Sequence, residues 1–251
     1  MIEVNNLTFA FKGRSPTFEN ISFSLPEGEI LCILGPNGVG KTTLLKTITG
    51  LYQPLSGTCH IGGIDGRKAR LAHVPQARHI QFSYSVLDFV SFGRPLCGGI
   101  LPSPGSKDLE QSAQMLADLG VSYLESKNIN QISGGEVQMC YIARALVSEP
   151  DIVVLDEPES NLDFNNQARI IKLLQQLSRE KNVTIILNTH FINHANSIAD
   201  KCLLMKRKEY FFGNKEVVLQ EERLGEYFNV PVKRCYFEHR GVQEESFVIA
   251  L

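Results

Sequence analysis

The chain has 251 residues, 43% hydrophobic and 21% charged, which supplies enough apolar material for one large buried core or two small ones. That balance excludes a disordered or collagen-like chain. Lysine and arginine number 25 against 27 aspartates and glutamates, a formal charge of −2, so no general pull toward nucleic acid or anionic lipid is expected, and nucleic acid is not an expected partner.

A membrane span needs about 20 consecutive apolar residues, and runs such as Ile152 to Leu155 fall far short of that. The opening MIEVNNLTF lacks a basic start followed by an apolar stretch, so it does not read as a secretory signal, and residence in the cytoplasm is expected. Six cysteines, Cys32, Cys59, Cys97, Cys140, Cys202 and Cys235, are scattered without a CxxC pair. That spacing argues against a zinc knuckle or a redox motif.

In chain order, LTFAF, ISFSL, EILCIL and TCHI are short β-type runs punctuated by Gly and Pro, and they predict antiparallel strands around one central strand up to about residue 63. From about residue 78 to 147 the pattern turns helical. Ser85 and Asp88 form a capping start for VLDFVSF, and helical spacing runs through DLEQSAQMLADLG. Between these parts, residues 94–107 are dense in Gly and Pro and predict an irregular loop. DIVVLD and VTIILN then bracket the helical FNNQARIIKLLQQLSRE, which is the βαβ pattern of a parallel sheet. The tail from residue 206 mixes strand-like FF and FVIAL with a short helical stretch near EERLGEYF.

After the strand EILCIL comes Gly35-Pro36-Asn37-Gly38-Val39-Gly40-Lys41-Thr42-Thr43, a GxxxxGK[ST] string followed by the helical LLKTIT. Glycine-permitted backbone turns successive N–H groups inward, the helix N-terminus adds partial positive charge, and Lys41 reaches the outer phosphates. Thr42 offers its hydroxyl to Mg²⁺. The strand Asp151 to Leu155 ends in Asp156-Glu157-Pro158, which sets two carboxylates at the carboxyl edge of a parallel sheet, where ligands of open α/β folds bind. Asp156 is expected to hold Mg²⁺ through water, and Glu157 to orient or deprotonate an attacking water.

His190 lies two residues past VTIILN, at the same edge, within reach of a γ-phosphate. With His194 four residues on, it mimics a zinc pair on a helix, but Phe191 stands where a zinc hydrolase needs Glu. Gln76, closing HVPQ, is a candidate for Mg²⁺ or water; an ordinary loop glutamine is the competing reading.

Ile132-Ser133-Gly134-Gly135-Glu136-Val137-Gln138 resembles the LSGGQ signature of ATP-binding cassette ATPases. Ser133 and Glu136 also have capping-box spacing, and the two readings agree, since a Gly-flanked helix start is an anion site. The resemblance spans essentially the whole chain. It implies an α/β fold with a P-loop parallel-sheet core formed by residues 1–77 and 148–205, an N-terminal antiparallel β subdomain within it, an inserted α-helical subdomain at 78–147 and a C-terminal tail at 206–251. It implies that Phe11 stacks on adenine; that Asn37, Gly38, Gly40, Lys41, Thr42 and Thr43 bind ATP; and that Thr42, Gln76 and Asp156 bind Mg²⁺. Glu157, Gln76 and His190 take the catalytic roles, with Ser160 to Asp163 as the D-loop. Phe11, Thr42, Ile132 and the string ESNLD depart from the commoner Tyr, Ser, Leu and TSALD, each keeping the relevant chemistry.

In this family the signature of one subunit meets the γ-phosphate held by another, so Ser133, Gly134 and Gly135 are implied to act in trans within a head-to-tail homodimer. Residues 82–94, FSYSVLDFVSFGR, and the tail LGEYFNVP resemble the ATPases of importers for iron chelates, haem, cobalamin and molybdate or tungstate. These pair with a separate membrane permease and a substrate-binding protein. The segment from Gln76 to Arg94, with Phe82, Tyr84, Phe89 and Phe92, is then the expected docking face, on the cytoplasmic side of the membrane. Packing of the helical part itself is the alternative role for those aromatics. A soluble cassette ATPase such as an iron–sulfur assembly factor is the rival class, since it has similar length and a similar SGGE string.

Overall fold

The structure, a computed structural model, describes residues 1–62, 69–76, 82–95, 103–160, 162–239 and 241–250. Cys97, Asn161 of the D-loop string, residue 78 and the middle of the Gly/Pro-rich stretch lie outside the described residues.

Strands β1 (Ile2–Phe9), β2 (Phe18–Leu25), β3 (Ile30–Leu34), β4 (Ser56–Ile61), β5 (Leu71–Val74), β6 (Ile152–Asp156), β7 (Thr184–Asn188), β8 (Lys201–Lys206) and β9 (Glu209–Asn214) form two sheets. The larger has the order β5-β6-β7-β3-β8-β9, parallel throughout except for β9, which runs antiparallel to β8. All five residues of β3, β6 and β7 are buried, as parallel strands covered on both faces require. The smaller sheet is antiparallel with order β2-β1-β4. The central strand expected of the N-terminal part is thus β1, whereas β3 leaves that group for the parallel sheet. β9, which sequence pattern put in the tail, is the edge strand of the core.

Alternation along the parallel strands divides the core in two. Cys32, Leu34, Val153, Leu155, Ile185 and Leu187 face helices α2 (Val86–Ser91), α3 (Ser106–Asp118), α4 (Gly134–Leu146) and α5 (Phe164–Lys181). Leu31, Ile33, Ile152, Val154 and Ile186 face the small sheet and α1 (Lys41–Ile48). A one-residue period on strands of Val, Ile and Leu therefore buries apolar surface on both sides at once.

Local chemistry sets the helix starts. Ser85 accepts from the N–H of Asp88 to begin α2, and Asp163 accepts from Asn166 to begin α5. At α4, Ser133 and Glu136 form a reciprocal capping box. After β7 the chain runs through α6 (Ile192–Ile198), β8 and β9 and then into α7 (Lys215–Val218), α8 (Glu221–Phe228) and the hairpin β10 (Val232–His239) and β11 (Val242–Ile249). The Asn193 side chain on α6 clamps that hairpin, donating to the Phe247 carbonyl at 3.2 Å and accepting from its N–H at 2.7 Å.

Candidate nucleotide site at the carboxyl edge of the sheet

Because β3, β5, β6 and β7 are parallel, the residues that follow them emerge on one edge. Gly35 follows β3, Gln76 follows β5, Glu157 follows β6 and His190 follows β7. The glycine loop turns from β3 into α1 through positive φ values at Gly35, Gly38 and Gly40. Gly40 caps α1 at φ 108, and a Cβ there would meet Thr17 Cγ2 at 2.6 Å, so both conformation and space call for glycine.

A cleft of about 610 Å³ opens beside this loop. Phe11, Asn37, Gly38, Gly40, Lys41, Thr42, Thr43 and Glu157 line it. Phe11 is half-exposed, standing edge-on to Phe9 at 5.0 Å and to Tyr52 at 6.0 Å. Arg14 and Arg207 add two cations to the lining. No motif marks either one: Arg14 arrives from the turn after β1 and Arg207 from the β8–β9 turn.

Lys41 is buried, and its Nζ donates to the carbonyls of Gly35 at 2.7 Å and Pro36 at 3.0 Å. Burial pushes its ammonium below the ordinary lysine value, with Glu157 and Asp156 opposing that shift. The Thr42 hydroxyl donates to Asp156 Oδ1 at 2.9 Å, and Asn188 Nδ2 donates to the same oxygen at 2.6 Å. A hydroxyl and a carboxylate brought together in this way are a donor pair that fits Mg²⁺. That ion takes one or two protein oxygens and completes its octahedron with water and phosphate.

Glu157 adopts φ 50, a conformation costing a non-glycine residue about 1–2 kcal/mol, with its N–H donating to the Asn188 carbonyl at 3.0 Å. Its carboxylate gathers three partners. Oε1 pairs with Nε2 of His190, while Oε2 accepts from the Ser160 hydroxyl at 3.3 Å and from Gln76 Nε2 at 3.5 Å. Residues separated by 81 and 33 positions therefore converge on one carboxylate.

The signature does not join this cleft. Ser133, Gly134 and Gly135 are absent from its described lining and sit at the start of α4, with Ser133 and Gly134 exposed. Asp163, likewise outside the lining, caps α5. His194 is turned away from His190: its Nδ1 stands 3.5 Å from Glu159 Oε1 and its ring lies 4.7 Å from that of Phe191. Of the four aromatics on the expected docking face, Phe82 and Tyr84 are exposed, but Phe89 is buried against Tyr141 and Arg144 and packs the helical part.

A glycine loop opening onto the carboxyl ends of parallel strands is how P-loop nucleotide hydrolases are built, and this chain falls in that class. The family model described as ABC transporter matches residues 18–160. The molybdate import ATP-binding protein MolC of Haemophilus influenzae is 35% identical over 246 residues, 98% of this chain and 93% of the relative. Among solved structures, an ABC transporter assigned to the metal-chelate type, in an inward-facing conformation, matches with a TM-score of 0.91 and 33% identity over 100% of this chain and 97% of that one. The dimeric structure of a bacterial ABC transporter cassette matches with a TM-score of 0.74 and 27% identity, covering 86% of this chain and 99% of the other. The chain belongs to the ABC transporter family and is an ATPase. Among the described residues no helix is long and apolar enough to cross a membrane.

Proposed function

We propose that this chain is the ATP-hydrolysing subunit of an importer, working as two copies docked on the cytoplasmic face of a separate membrane permease that receives its cargo from a substrate-binding protein. The observation that carries the reading is the Thr42 hydroxyl held at 2.9 Å from the Asp156 carboxylate, with Glu157 the next residue and its side chain paired with His190. In this reading Asn37, Gly38, Gly40 and Thr43 cradle phosphate oxygens, and Lys41 exchanges the Gly35 and Pro36 carbonyls for the outer phosphates. Phe11 stacks on adenine.

Thr42 and Asp156 would hold Mg²⁺, with Gln76 completing the set. When bound, the ion would supply positive charge that offsets the charge on the phosphates. Glu157 accepts a proton from the attacking water at its carboxylate, and His190 fixes that carboxylate and reaches the γ-phosphate. Water oxygen bonds to the γ-phosphorus, the bond to the bridging oxygen breaks, and ADP and phosphate leave.

Ser133, Gly134 and Gly135 complete the site of the other copy, with the D-loop through Asp163 at the same seam. The exposure of Ser133 and Gly134 at a capped helix start and the separation of all three from the cleft of their own chain support an action in trans. The helical subdomain at 78–147 is the part that meets the permease, along the segment from Gln76 to Arg94, set on a core of residues 1–77 and 148–205 with the tail at 206–251. A metal-containing cargo is favoured, whether molybdate or tungstate, an iron chelate, haem or cobalamin. The relative is named for molybdate and the solved transporter for metal chelates. Both are transport proteins, which favours an importer over a soluble assembly factor.

Gel filtration of the Glu157→Gln form tests the paired arrangement: saturating Mg-ATP shifts it to a dimer, and a form that stays monomeric contradicts the reading. Uptake assays with the reconstituted permease, offering molybdate, haem, cobalamin and ferric chelates separately, identify the cargo.

A further inference from the structure

Pro158 separates two glutamates with opposite surroundings. Glu157 faces the cleft, whereas Glu159 is only 1% exposed. Glu159 Oε1 accepts from the Thr189 hydroxyl and stands 3.5 Å from His194 Nδ1, and its Oε2 is buried with no hydrogen-bond partner among the described residues. Thr189 Oγ1 in turn accepts from the Phe191 N–H at 3.0 Å, and the Thr189 N–H donates to the Ile33 carbonyl at 3.1 Å. Residue 189 through its side chain and residue 191 through its backbone are thus tied to one buried carboxylate. Between them lies His190, whose ring meets Glu157.

Burying a carboxylate costs several kcal/mol unless its lone pairs are used, and an apolar side chain would fill the same space without that cost. Packing alone therefore does not account for Glu159. A threonine hydroxyl turns freely about its Cβ–Oγ bond, and a fixed acceptor on one side selects the orientation that leaves a lone pair for the Phe191 N–H.

We propose that Glu159 is a positioning residue for ATP hydrolysis: through Thr189 and the Phe191 backbone it aims His190 at the Glu157 carboxylate. This rests on the roles given above to Glu157 and His190. One loop then serves both ends of the contact, residue 157 meeting the histidine ring and residue 159 holding the histidine's neighbours.

The test measures steady-state ATPase rates and fluorescent-nucleotide affinity on the full chain for Glu159→Ala, Glu159→Gln, Thr189→Val and the Glu159→Ala/Thr189→Val double variant. Misaiming a catalytic group lowers kcat, so Glu159→Ala and Thr189→Val are each expected to lose about ten-fold in kcat, with KM and nucleotide affinity within about two-fold of the parent. The double variant is no slower than the slower single one, because both break one relay. Glu159→Gln, whose amide oxygen still accepts from Thr189, returns kcat to within about three-fold. Full kcat in Glu159→Ala, multiplicative losses in the double variant, a Gln form as slow as the Ala form, or equal losses in kcat and affinity each overturn the proposal. Should Glu159→Ala fail to fold, Thr189→Val decides: a wild-type kcat there overturns it, and a ten-fold loss in kcat with affinity unchanged supports it. Glu157→Gln separates the two levels of inference. Hydrolysis surviving in that form removes the base assignment itself, whereas loss of hydrolysis there beside a fully active Glu159→Ala removes the Glu159 proposal alone.

Discussion

The Thr42 hydroxyl and Asp156 Oδ1, 114 residues apart in sequence, are joined by a 2.9 Å hydrogen bond that ties the glycine loop to the end of β6. The same carboxylate oxygen takes the Asn188 amide, so β6, β7 and the first turn of α1 share one acceptor. Such a junction keeps a charge ready for a divalent cation while holding three elements in register.

Asp156→Asn keeps an acceptor for Thr42 and removes the charge. The variant is expected to bind fluorescent ATP in EDTA within about two-fold of the parent but to show no added affinity with Mg²⁺, because neutral oxygen is a far weaker ligand for a hard cation. Titrations with and without Mg²⁺ check it. A variant retaining the Mg²⁺-dependent gain would rule out Asp156 as part of the cation site.

Glu136 offers a pH-dependent counterpart at the start of α4. Partial burial pushes its carboxyl up, but hydrogen bonds from the Ser133 N–H and hydroxyl, both at 2.8 Å, and from Tyr123 at 3.1 Å bring it below the ordinary glutamate value overall. A depressed folded value means that the stabilisation is complete above the unfolded value, about pH 4.3, and is lost as pH falls through the lower folded value. Glu136→Gln keeps the capping box and carries no titrating group. Its acid unfolding curve should therefore lack that decline, a difference of no more than about 0.5 kcal/mol for so solvent-screened a group. Glu136→Ala loses the box and about 1 kcal/mol at every pH. Denaturant unfolding at several pH values distinguishes the three forms.

Much of this site was legible because its groups are contiguous. Gly35 to Thr43 carry their chemistry in one string, and strands β3, β6 and β7 announce burial on both faces through the unbroken apolar runs ILCIL, IVVL and IIL. Polar residues just past such strands, Glu157 and His190, can only emerge at the sheet edge. Glu159 was not legible, since nothing in Glu-Pro-Glu says which carboxylate turns inward; that follows from the left-handed turn at Glu157 and from Thr189 just past β7. Arg14 and Arg207 reach the cleft through turns without a motif. β9 reads as tail because its half-buried EYFFGN gives no sign of the partner strand that makes it an edge.

Gly93 closes α2 against α4 more tightly than any side chain allows. A Cβ there would lie 1.8 Å from the Arg144 carbonyl oxygen and 2.9 Å from Val147 Cγ1. The carbonyl oxygen cannot retreat without moving α4. Gly93→Ala is expected to destabilise the fold by about 2–3 kcal/mol, lowering Tm by about 5–10 °C. Gly13→Ala provides the contrast: at φ 73 but with nothing within 4 Å of the added carbon, it pays only for backbone strain, about 1 kcal/mol. Equal Tm values for the two variants would mean that the α2–α4 approach is looser than described.

The aromatic cluster of the helical part separates docking from packing. Phe82 is 67% exposed and Tyr84 41%, with ring centroids 6.3 Å apart, while Phe89 is 5% exposed. Bonds to the backbone, from Asn130 Nδ2 to the Phe82 carbonyl and from the Ile129 N–H to the Tyr84 carbonyl, both 3.0 Å, hold the segment, and the Tyr84 ring also meets Phe92 edge-on at 5.1 Å. The exposed rings are therefore available to a membrane partner at little expense to the fold. Phe82→Ala with Tyr84→Ala should abolish co-purification with the permease while basal ATPase stays within about two-fold and stability within the roughly 0.5 kcal/mol usual for surface changes. Phe89→Ala, by contrast, opens a cavity costing about 3–5 kcal/mol and should lower both binding and activity through unfolding. If the Phe82/Tyr84 pair behaves like Phe89, the two rings pack the helical part and the permease docks elsewhere.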